Sequence, residues 1–171
     1  MDALKTRIRH VPDFPKPGIL FYDVTTLLRD PEGFKLSIDA MSEPYQGQGI
    51  SLVVGIESRG FILGAAVADR LGAGFAPVRK VGKLPHTKIR VNYDLEYGTD
   101  SLEMHSDAVD KGQKVLIVDD LLATGGTSAS ATTLIKKVGG DLIETIFLIE
   151  LEFLNGRKKL DPTPVVSFLK Y

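Results

Sequence analysis

Short apolar runs rich in β-branched residues recur along the chain, which is typical of buried strands. The run at residues 51–56 comes first, and the run at 114–118 is the most continuous. Further apolar runs occupy residues 75–78, 143–149 and 165–169, and we predict that the last of these is an edge strand.

Amphipathic segments with the 3.6-residue period of helices lie between these runs. Asp30 suits an N-cap, and Pro31 suits the first helical position of a helix that carries Phe34, Ile38 and Met41 on one face. Two later helices close at glycine, which favours the left-handed backbone of helix ends: 61–71 at Gly72, and a segment with Ala131, Leu134, Ile135 and Val138 at Gly139 and Gly140.

This alternation of strand and helix predicts an α/β fold with a parallel sheet covered on both faces. Ligands of such sheets bind beyond the carboxyl ends of the strands. We therefore expect the chemistry of this chain at those ends.

Two stretches do not follow the alternation. Residues 12–18 include three prolines and Gly18, and we predict that this segment is irregular. Residues 80–88 are basic and poorly periodic, and apolar and polar residues alternate at 89–93 and 101–105, a pattern typical of a half-exposed hairpin rather than core. Such an arm suits an active-site cover, and an ordinary β-hairpin is the alternative.

Composition narrows the function classes. The chain has 171 residues, which fits one domain, and 21 Lys+Arg against 22 Asp+Glu give a net charge of -1, unlike the strongly basic charge of general nucleic-acid binders. There are no cysteines, so disulfides and thiolate metal sites are excluded. The start has no apolar signal region, and no run approaches the roughly 20 apolar residues of a membrane span, so we expect a cytoplasmic globular protein.

The strongest chemical signal is the segment at residues 115–127. Two carboxylates, Asp119 and Asp120, follow its apolar strand at the carboxyl end, where neighbouring side chains point to opposite sides. Gly125 and Gly126 permit tight backbone conformations with converging N–H groups, and the following helix adds partial positive charge at its N-terminus. The segment predicts a cradle for a phosphate monoester, with carboxylates that can accept hydrogen bonds from ribose hydroxyls.

Each part of this motif is weak by itself, because glycines before a helix are often only a turn and acids at a strand end can simply be solvated. The ordered combination of strand, carboxylates, glycine loop and helix carries the prediction. A Walker A loop is excluded because no lysine follows the glycines. A dinucleotide fingerprint is excluded because its glycines precede the acid.

Residues 115–127 closely resemble the phosphoribosyl-pyrophosphate signature of type I phosphoribosyltransferases. Other segments resemble the adenine phosphoribosyltransferases in the same order along the chain: 14–24 (the hood over the base), 55–61 (the pyrophosphate loop), 79–85 with 95–98 and 102–103 (the flexible arm) and 156–160 (the C-terminal region). The resemblance implies one domain with a central, mainly parallel sheet flanked by helices, a small hood at about residues 10–28 and a flexible β arm at about 80–105.

The resemblance also implies how phosphoribosyl pyrophosphate is held. Asp119 and Asp120 would engage the ribose hydroxyls, one of them through magnesium-bound water, while Mg²⁺ itself would be held mainly by the substrate, with no direct protein ligand. Glu57, Ser58 and Arg59 would present backbone amides and a guanidinium to the pyrophosphate, across a cis peptide between the first two. From the residues alone, Arg59 can instead be a surface residue at a helix start, but the helix dipole disfavours a cation there, which slightly favours the functional interpretation. The 5′-phosphate loop would comprise Ala123, Thr124, Gly125, Gly126 and Thr127.

The arm would supply the remaining catalytic groups. Lys83, and with it Arg79, would close over the pyrophosphate, where cations stabilise the charge that grows on the leaving group. Glu96 would act as acid/base near the purine N7, with Tyr97 beside it. Without the resemblance, Glu96 is an ordinary exposed hairpin residue.

The hood is where this chain departs most from the family pattern. Phe21, Tyr22 and Val24 would sandwich adenine and read its edge largely through backbone groups. Tyr22 stands where an Arg is common, and Glu57 of the pyrophosphate loop stands where Asp is usual. Residues 86–90 are more basic than the family's usual arm.

The implied function is the formation of AMP and pyrophosphate from adenine and phosphoribosyl pyrophosphate, by a magnesium-dependent cytoplasmic homodimer that serves purine salvage and binds neither nucleic acid nor membrane. One alternative is a transferase for xanthine, guanine or orotate. Another is a regulatory protein that keeps the fold as a phosphoribosyl-pyrophosphate sensor and binds nucleic acid. The near-neutral charge argues against the sensor, and so do Lys83 and Glu96, which a sensor does not need.

Overall fold

The computed structural model describes residues 2–94 and 99–171, and no helix in these ranges is long and apolar enough to cross a membrane. The helices are α1 (Asp2–Lys5), α2 (Thr25–Leu28), α3 (Pro31–Ser42), α4 (Gly60–Leu71) and α5 (Gly126–Val138). The strands are β1 (Arg9–Pro12), β2 (Leu20–Asp23), β3 (Leu52–Ile56), β4 (Gly74–Lys80), β5 (Lys88–Asp94), β6 (Thr99–His105), β7 (Lys114–Leu122), β8 (Asp141–Glu150) and β9 (Val165–Lys170). Short 3-10 turns occupy Glu43–Tyr45, Glu152–Leu154 and Gly156–Lys159.

The central sheet has seven strands in the order β5-β6-β4-β3-β7-β8-β9. The pairs among β4, β3, β7, β8 and β9 are parallel, whereas β6 pairs antiparallel with both β4 and β5. The mainly parallel sheet predicted from the apolar runs is confirmed, and β9 is the edge strand that residues 165–169 predict.

Alternate residues of the central strands enter two separate cores, one on each face of the sheet. Val53 of β3 packs in the core that α3 and α4 cover, while its neighbour Val54 packs in the core that α5 covers. Likewise, Val118 of β7 packs in the first of these cores and Ile117 packs in the second. Burial on both faces explains why these strands are almost continuously apolar.

The helix ends follow the local chemistry of the sequence. Asp30 caps α3 by accepting a hydrogen bond from the Glu32 N–H at 3.2 Å, and Pro31 occupies the first helical position. Gly72 ends α4 at φ +66° and Gly139 ends α5 at φ +82°, a region that disfavours other residues. These three predictions are confirmed.

The N-terminal segment is more regular than its prolines predict. β1 and β2 form an antiparallel two-stranded sheet, and the prolines at 15 and 17 lie in the connection between its strands. Pro12 is the last residue of β1, and its missing N–H is tolerated there because the strand lies at a sheet edge. The prolines therefore mark the ends and the turn of a hairpin.

The prediction that the 89–105 hairpin is half-exposed and lies outside the core is wrong for its second strand. Leu102 and Met104 of β6 are buried in the core beneath α5. The residue between them, Glu103, is also buried, because Arg90 of β5 and the turn after β4 cover it. The base of the arm is thus part of the central fold.

Substitution of Met104 by Ala tests this burial. We expect a loss of about 2–5 kcal/mol in the free energy of unfolding, because a cavity replaces a fully enclosed side chain. Val81, which is exposed in the turn after β4, is the control, and V81A should change the free energy by no more than about 0.5 kcal/mol. Urea denaturation measures both. Equal, small effects would contradict burial of β6.

Candidate active site

The site lies where two neighbours of β7 have different lengths. β3 pairs with β7 only as far as Gly55 opposite Val118, whereas β8 remains paired until Glu150 opposite Leu122. Beyond Val118, β7 therefore has a strand on one side only. A cavity of about 300 Å³ occupies the space at this carboxyl edge of the sheet.

The cavity brings together most of the residues that the sequence predicts for the site. Two sequence segments and the strand between them line it: Glu57, Ser58 and Arg59; Asp119 and Asp120; and Ala123, Thr124, Gly125, Gly126 and Thr127. Leu121 and Ser128 also line it and were not anticipated. The only sequence signal for Ser128 is its place in the first turn of the helix that follows the glycines.

The glycine loop is shaped by a close approach of two backbone segments. Gly125 precedes α5 at φ +79°, and a Cβ there would overlap the carbonyl oxygen of Gly156. A Cβ on Gly156 would in turn overlap the carbonyl oxygen of Ala123. The 3-10 turn at Gly156–Lys159 thus supports the loop from outside, a contact that the spacing along the chain does not reveal.

Both carboxylates of β7 line the same cavity although neighbouring strand residues alternate in direction. Asp119 is 9 % exposed and Asp120 is 5 % exposed, and Asp119 Oδ1 accepts the Asp120 backbone N–H at 2.9 Å. Burial raises the pKa of Asp119 well above its usual range, and the nearby charge of Asp120 adds to this. A carboxyl group of this kind can donate as well as accept a hydrogen bond with a ribose hydroxyl.

Arg59 belongs to the site and is not a free surface residue. It stands at the N-cap of α4, its Nε donates to Asp120, and its guanidinium lies 5.6 Å from the centre of the Phe21 ring. The peptide between Glu57 and Ser58 is cis, as the resemblance implies. One side chain therefore links the loop at 57–59 to both β7 and the hood.

Glu57 binds the two cations that the arm directs toward the cavity. Its carboxylate contacts Lys83 Nζ and accepts a hydrogen bond from Arg79 Nε at 3.3 Å, and the Lys80 backbone N–H donates to it at 3.0 Å. Burial acts to raise the pKa of Glu57, but these hydrogen bonds outweigh it and the pKa lies below its usual range. Lys83 and Arg79 are thus placed beside the cavity, where one carboxylate of this chain offsets part of their combined charge.

The hood side chains divide between the core and the site. Val24 is fully buried, and the Tyr22 ring packs in the core with its centre 4.2 Å from that of Tyr171. The cavity lining includes neither of these residues, whereas Phe21 lies beside Arg59, which does line the cavity. Glu96 and Tyr97 lie outside the described residues.

The comparisons with known proteins agree with this geometry. A family model described as phosphoribosyl transferase domain matches residues 23–169, a range that includes α2, the cavity lining and the strands β5 and β6. The chain belongs to the phosphoribosyltransferase family. The enzyme class is therefore transferase.

Relatives that match almost the whole chain are named adenine phosphoribosyltransferase. The adenine phosphoribosyltransferase of Geotalea daltonii is 56 % identical over 171 residues, covering 100 % of each chain. The crystal structure of adenine phosphoribosyltransferase from Thermoanaerobacter pseudethanolicus superposes with a TM-score of 0.96 at 50 % identity, covering 99 % of each chain. The enzyme of Saccharomyces cerevisiae, solved with an imino-altritol bisphosphate and adenine, has a TM-score of 0.93 at 42 % identity, covering 97 % of this chain and 96 % of the yeast chain.

Substitution of Gly125 by Ala should remove the phosphate cradle. The new methyl group meets the Gly156 carbonyl and requires a positive φ, so we expect affinity for ribose 5-phosphate to fall by about tenfold or more, which is about 1.4 kcal/mol. Gly139→Ala is the matched control, because φ is +82° there and the nearest heavy atom is a flexible Lys111 carbon at 3.3 Å.

Isothermal titration calorimetry and thermal unfolding measure the two effects separately. G139A should lose about 1–2 kcal/mol of stability and keep its affinity for ribose 5-phosphate. Equal affinities of G125A and the parent protein would show that this loop does not hold the phosphate.

Proposed function

We propose that this chain transfers the phosphoribosyl group of phosphoribosyl pyrophosphate to adenine, giving AMP and pyrophosphate. The observation that carries the proposal is the single cavity of about 300 Å³ that joins the glycine loop, two carboxylates and the loop at 57–59. Substrates of this kind carry a phosphate, a diol and a pyrophosphate on one ribose ring, and the cavity offers a complementary group for each.

The charges and hydrogen-bonding groups of the cavity lining indicate where each part of the substrate binds. The 5′-phosphate suits the N-terminus of α5, where backbone N–H groups have no helical partner. The ribose hydroxyls suit Asp119 and Asp120 on β7. The pyrophosphate suits the loop at 57–59, because Arg59 presents a planar set of donors there.

The chemistry is a displacement at the anomeric carbon. The bond from C1′ to the pyrophosphate oxygen breaks as the bond from C1′ to the purine N9 forms, through an oxocarbenium-like transition state. Negative charge grows on the leaving pyrophosphate, and Arg59, Lys83 and Arg79 stabilise it. Since Glu57 holds the last two in the free protein, the incoming pyrophosphate takes over cations that are already in position.

The base is recognised by the hood and the arm. Backbone groups of residues 21–24 read the edge of adenine, which fits the burial of the Tyr22 and Val24 side chains. Glu96 accepts the N7 proton of adenine as the N9 lone pair bonds to C1′, and the resemblance implies that Tyr97 assists it. The yeast enzyme solved with adenine supports the choice of base.

Mg²⁺ would fit this site as an ion held mainly by the substrate. Asp119 and Asp120 are hard oxygen donors of the kind that Mg²⁺ accepts, but one is paired with Arg59, and no group of three or more acidic or histidine side chains occurs in the described part of the chain. Bound through the pyrophosphate and ribose oxygens, Mg²⁺ would neutralise part of the leaving group's charge.

The cellular location, the pathway and the oligomeric state of the enzyme are proposed from the family resemblance. It acts in the cytoplasm, in purine salvage, as a homodimer that binds no nucleic acid. Ile62 of α4 and Phe75 of β4 are exposed apolar side chains that suit a contact between subunits.

A base panel tests the reaction. With phosphoribosyl pyrophosphate and Mg²⁺, we expect pyrophosphate release with adenine and rates at least about 10²-fold lower with guanine, xanthine or orotate, because a site built to hydrogen-bond one base edge leaves unpaired groups with another. A coupled pyrophosphate assay measures each rate. Turnover of guanine without adenine would overturn the base assignment, and binding without any turnover would favour a sensor.

Glu96→Gln tests the acid/base role. The amide cannot exchange the proton, so kcat should fall by about 10²–10⁴-fold while the affinity for phosphoribosyl pyrophosphate is retained. Asp107→Asn, at an exposed carboxylate just after β6, is the control and should keep the parent rate. Steady-state kinetics with adenine measure both variants, and an unchanged kcat in E96Q would refute this role.

A further inference from the structure

Glu103 is a carboxylate that the proposed reaction does not use, and its position is unusual. It lies in β6 and is 0 % exposed. An unpaired carboxylate at such a position would cost several kcal/mol, so its partners need an account. They are found in β5 and in the turn after β4.

Arginines flank Glu103 at the same register of the sheet. Arg90 of β5 and Arg79 of β4 are its directly opposite residues. Arg90 donates to Glu103 Oε1 from Nε at 3.0 Å and from Nη2 at 2.6 Å. Arg90 is one of the basic residues that distinguish this arm from the usual family pattern, and its partner is this buried acid.

The second oxygen of Glu103 holds the turn that carries Lys83. Oε2 accepts the backbone N–H of Gly82 at 3.0 Å, and Gly82 adopts φ +82° in that turn. Arg79 Nη1 donates to the backbone carbonyl of Lys83 at 3.2 Å. Side chains of β6 and β4 therefore anchor the backbone on both sides of the Gly82–Lys83 peptide.

Burial acts to raise the pKa of Glu103, but the hydrogen bonds from Arg90 and Gly82 outweigh it, and the pKa lies below the usual range. The carboxylate is thus kept ionised at neutral pH, when it holds the turn most strongly. From this turn the Lys83 side chain reaches Glu57 in the loop that lines the cavity.

We propose that Glu103 is a positioning residue for Lys83: with Arg90, it fixes the turn from which Lys83 reaches the pyrophosphate. The inference rests on the proposed role of Lys83 in the reaction. Glu103 touches no substrate, and its effect passes through the Gly82 amide. It should therefore act on pyrophosphate binding and leave base binding alone.

Glu103→Gln is the principal variant, because it keeps the volume and removes the charge. We expect KM for phosphoribosyl pyrophosphate to rise roughly tenfold, since a misplaced cation loses much of its effect, and KM for adenine to change less than about twofold. Arg90→Met, at a half-exposed side chain, removes both hydrogen bonds to Oε1 and should shift the same constant in the same direction.

A double-mutant cycle with Lys83→Ala separates positioning from general destabilisation. If Glu103 acts through Lys83, adding E103Q to K83A should change KM for phosphoribosyl pyrophosphate by less than about twofold. Glu150→Gln is the matched control, because Glu150 is also buried and holds an arginine, Arg157, at 2.6 and 2.7 Å, but on β8. Any effect of E150Q should add to that of K83A in full.

Calorimetric titration of phosphoribosyl pyrophosphate with Mg²⁺ gives a dissociation constant that needs no turnover, so a failure of the base-transfer proposal does not affect this test. Thermal unfolding of each variant measures stability separately. The inference is overturned if E103Q and R90M leave this dissociation constant at the parent value, or if E103Q and K83A are additive. It is overturned too if K83A itself has no effect, and adenine turnover in that variant would show that the reaction assignment survives.

Discussion

Burial of two adjacent carboxylates at the end of β7 is the constraint on which the rest of the site depends. Asp119 and Asp120 are almost removed from solvent, and two negative charges so close are unfavourable, so the pKa of Asp119 is raised and Asp120 is paired with a cation. Arg59 supplies that cation, which brings the start of α4 down onto β7. The approach is so close that a Cβ on Gly60 would lie 2.7 Å from Asp119 Oδ1. The loop at 57–59 is therefore held over the cavity by the same charges that are proposed to meet the ribose.

Local signals predicted the parts of the molecule whose structure is decided by nearby residues. The cap at Asp30, the glycines that end α4 and α5, and the order of strand, carboxylates and glycine loop all depend on contacts within a few residues. The β6 strand shows where this fails. Apolar and polar residues alternate there, which predicts one exposed face, but Glu103 on the polar side is covered by Arg90 and the Gly82 turn. Both partners are distant in sequence, so no local pattern could reveal the burial.

The strand pairing within the hood and the support of the glycine loop escaped sequence reasoning for a related reason. Proline spacing marks chain reversal but does not say whether the flanking residues pair, and here β1 and β2 do. Recognition through backbone groups places no demand on side-chain type, so burial of Tyr22 and Val24 is compatible with base reading while remaining invisible in composition. Gly156 contacts Gly125 across a long stretch of chain, and only the resemblance pointed to that region.

Pairing between cations and carboxylates at the site explains why a proposed site for a polyanion is compatible with a net charge of only -1. Arg59 is paired with Asp120, and Lys83 and Arg79 share Glu57, so two carboxylates offset most of the charge of these three cations in the free protein. These pairs hold flexible side chains near their working positions, which lowers the entropy lost on binding. They also oppose the proposed binding of pyrophosphate, because the incoming anion would have to displace a carboxylate. Glu57, longer by one methylene than the usual Asp of this loop, reaches both arm cations at once, and so ties the position of the arm to the state of the pyrophosphate loop.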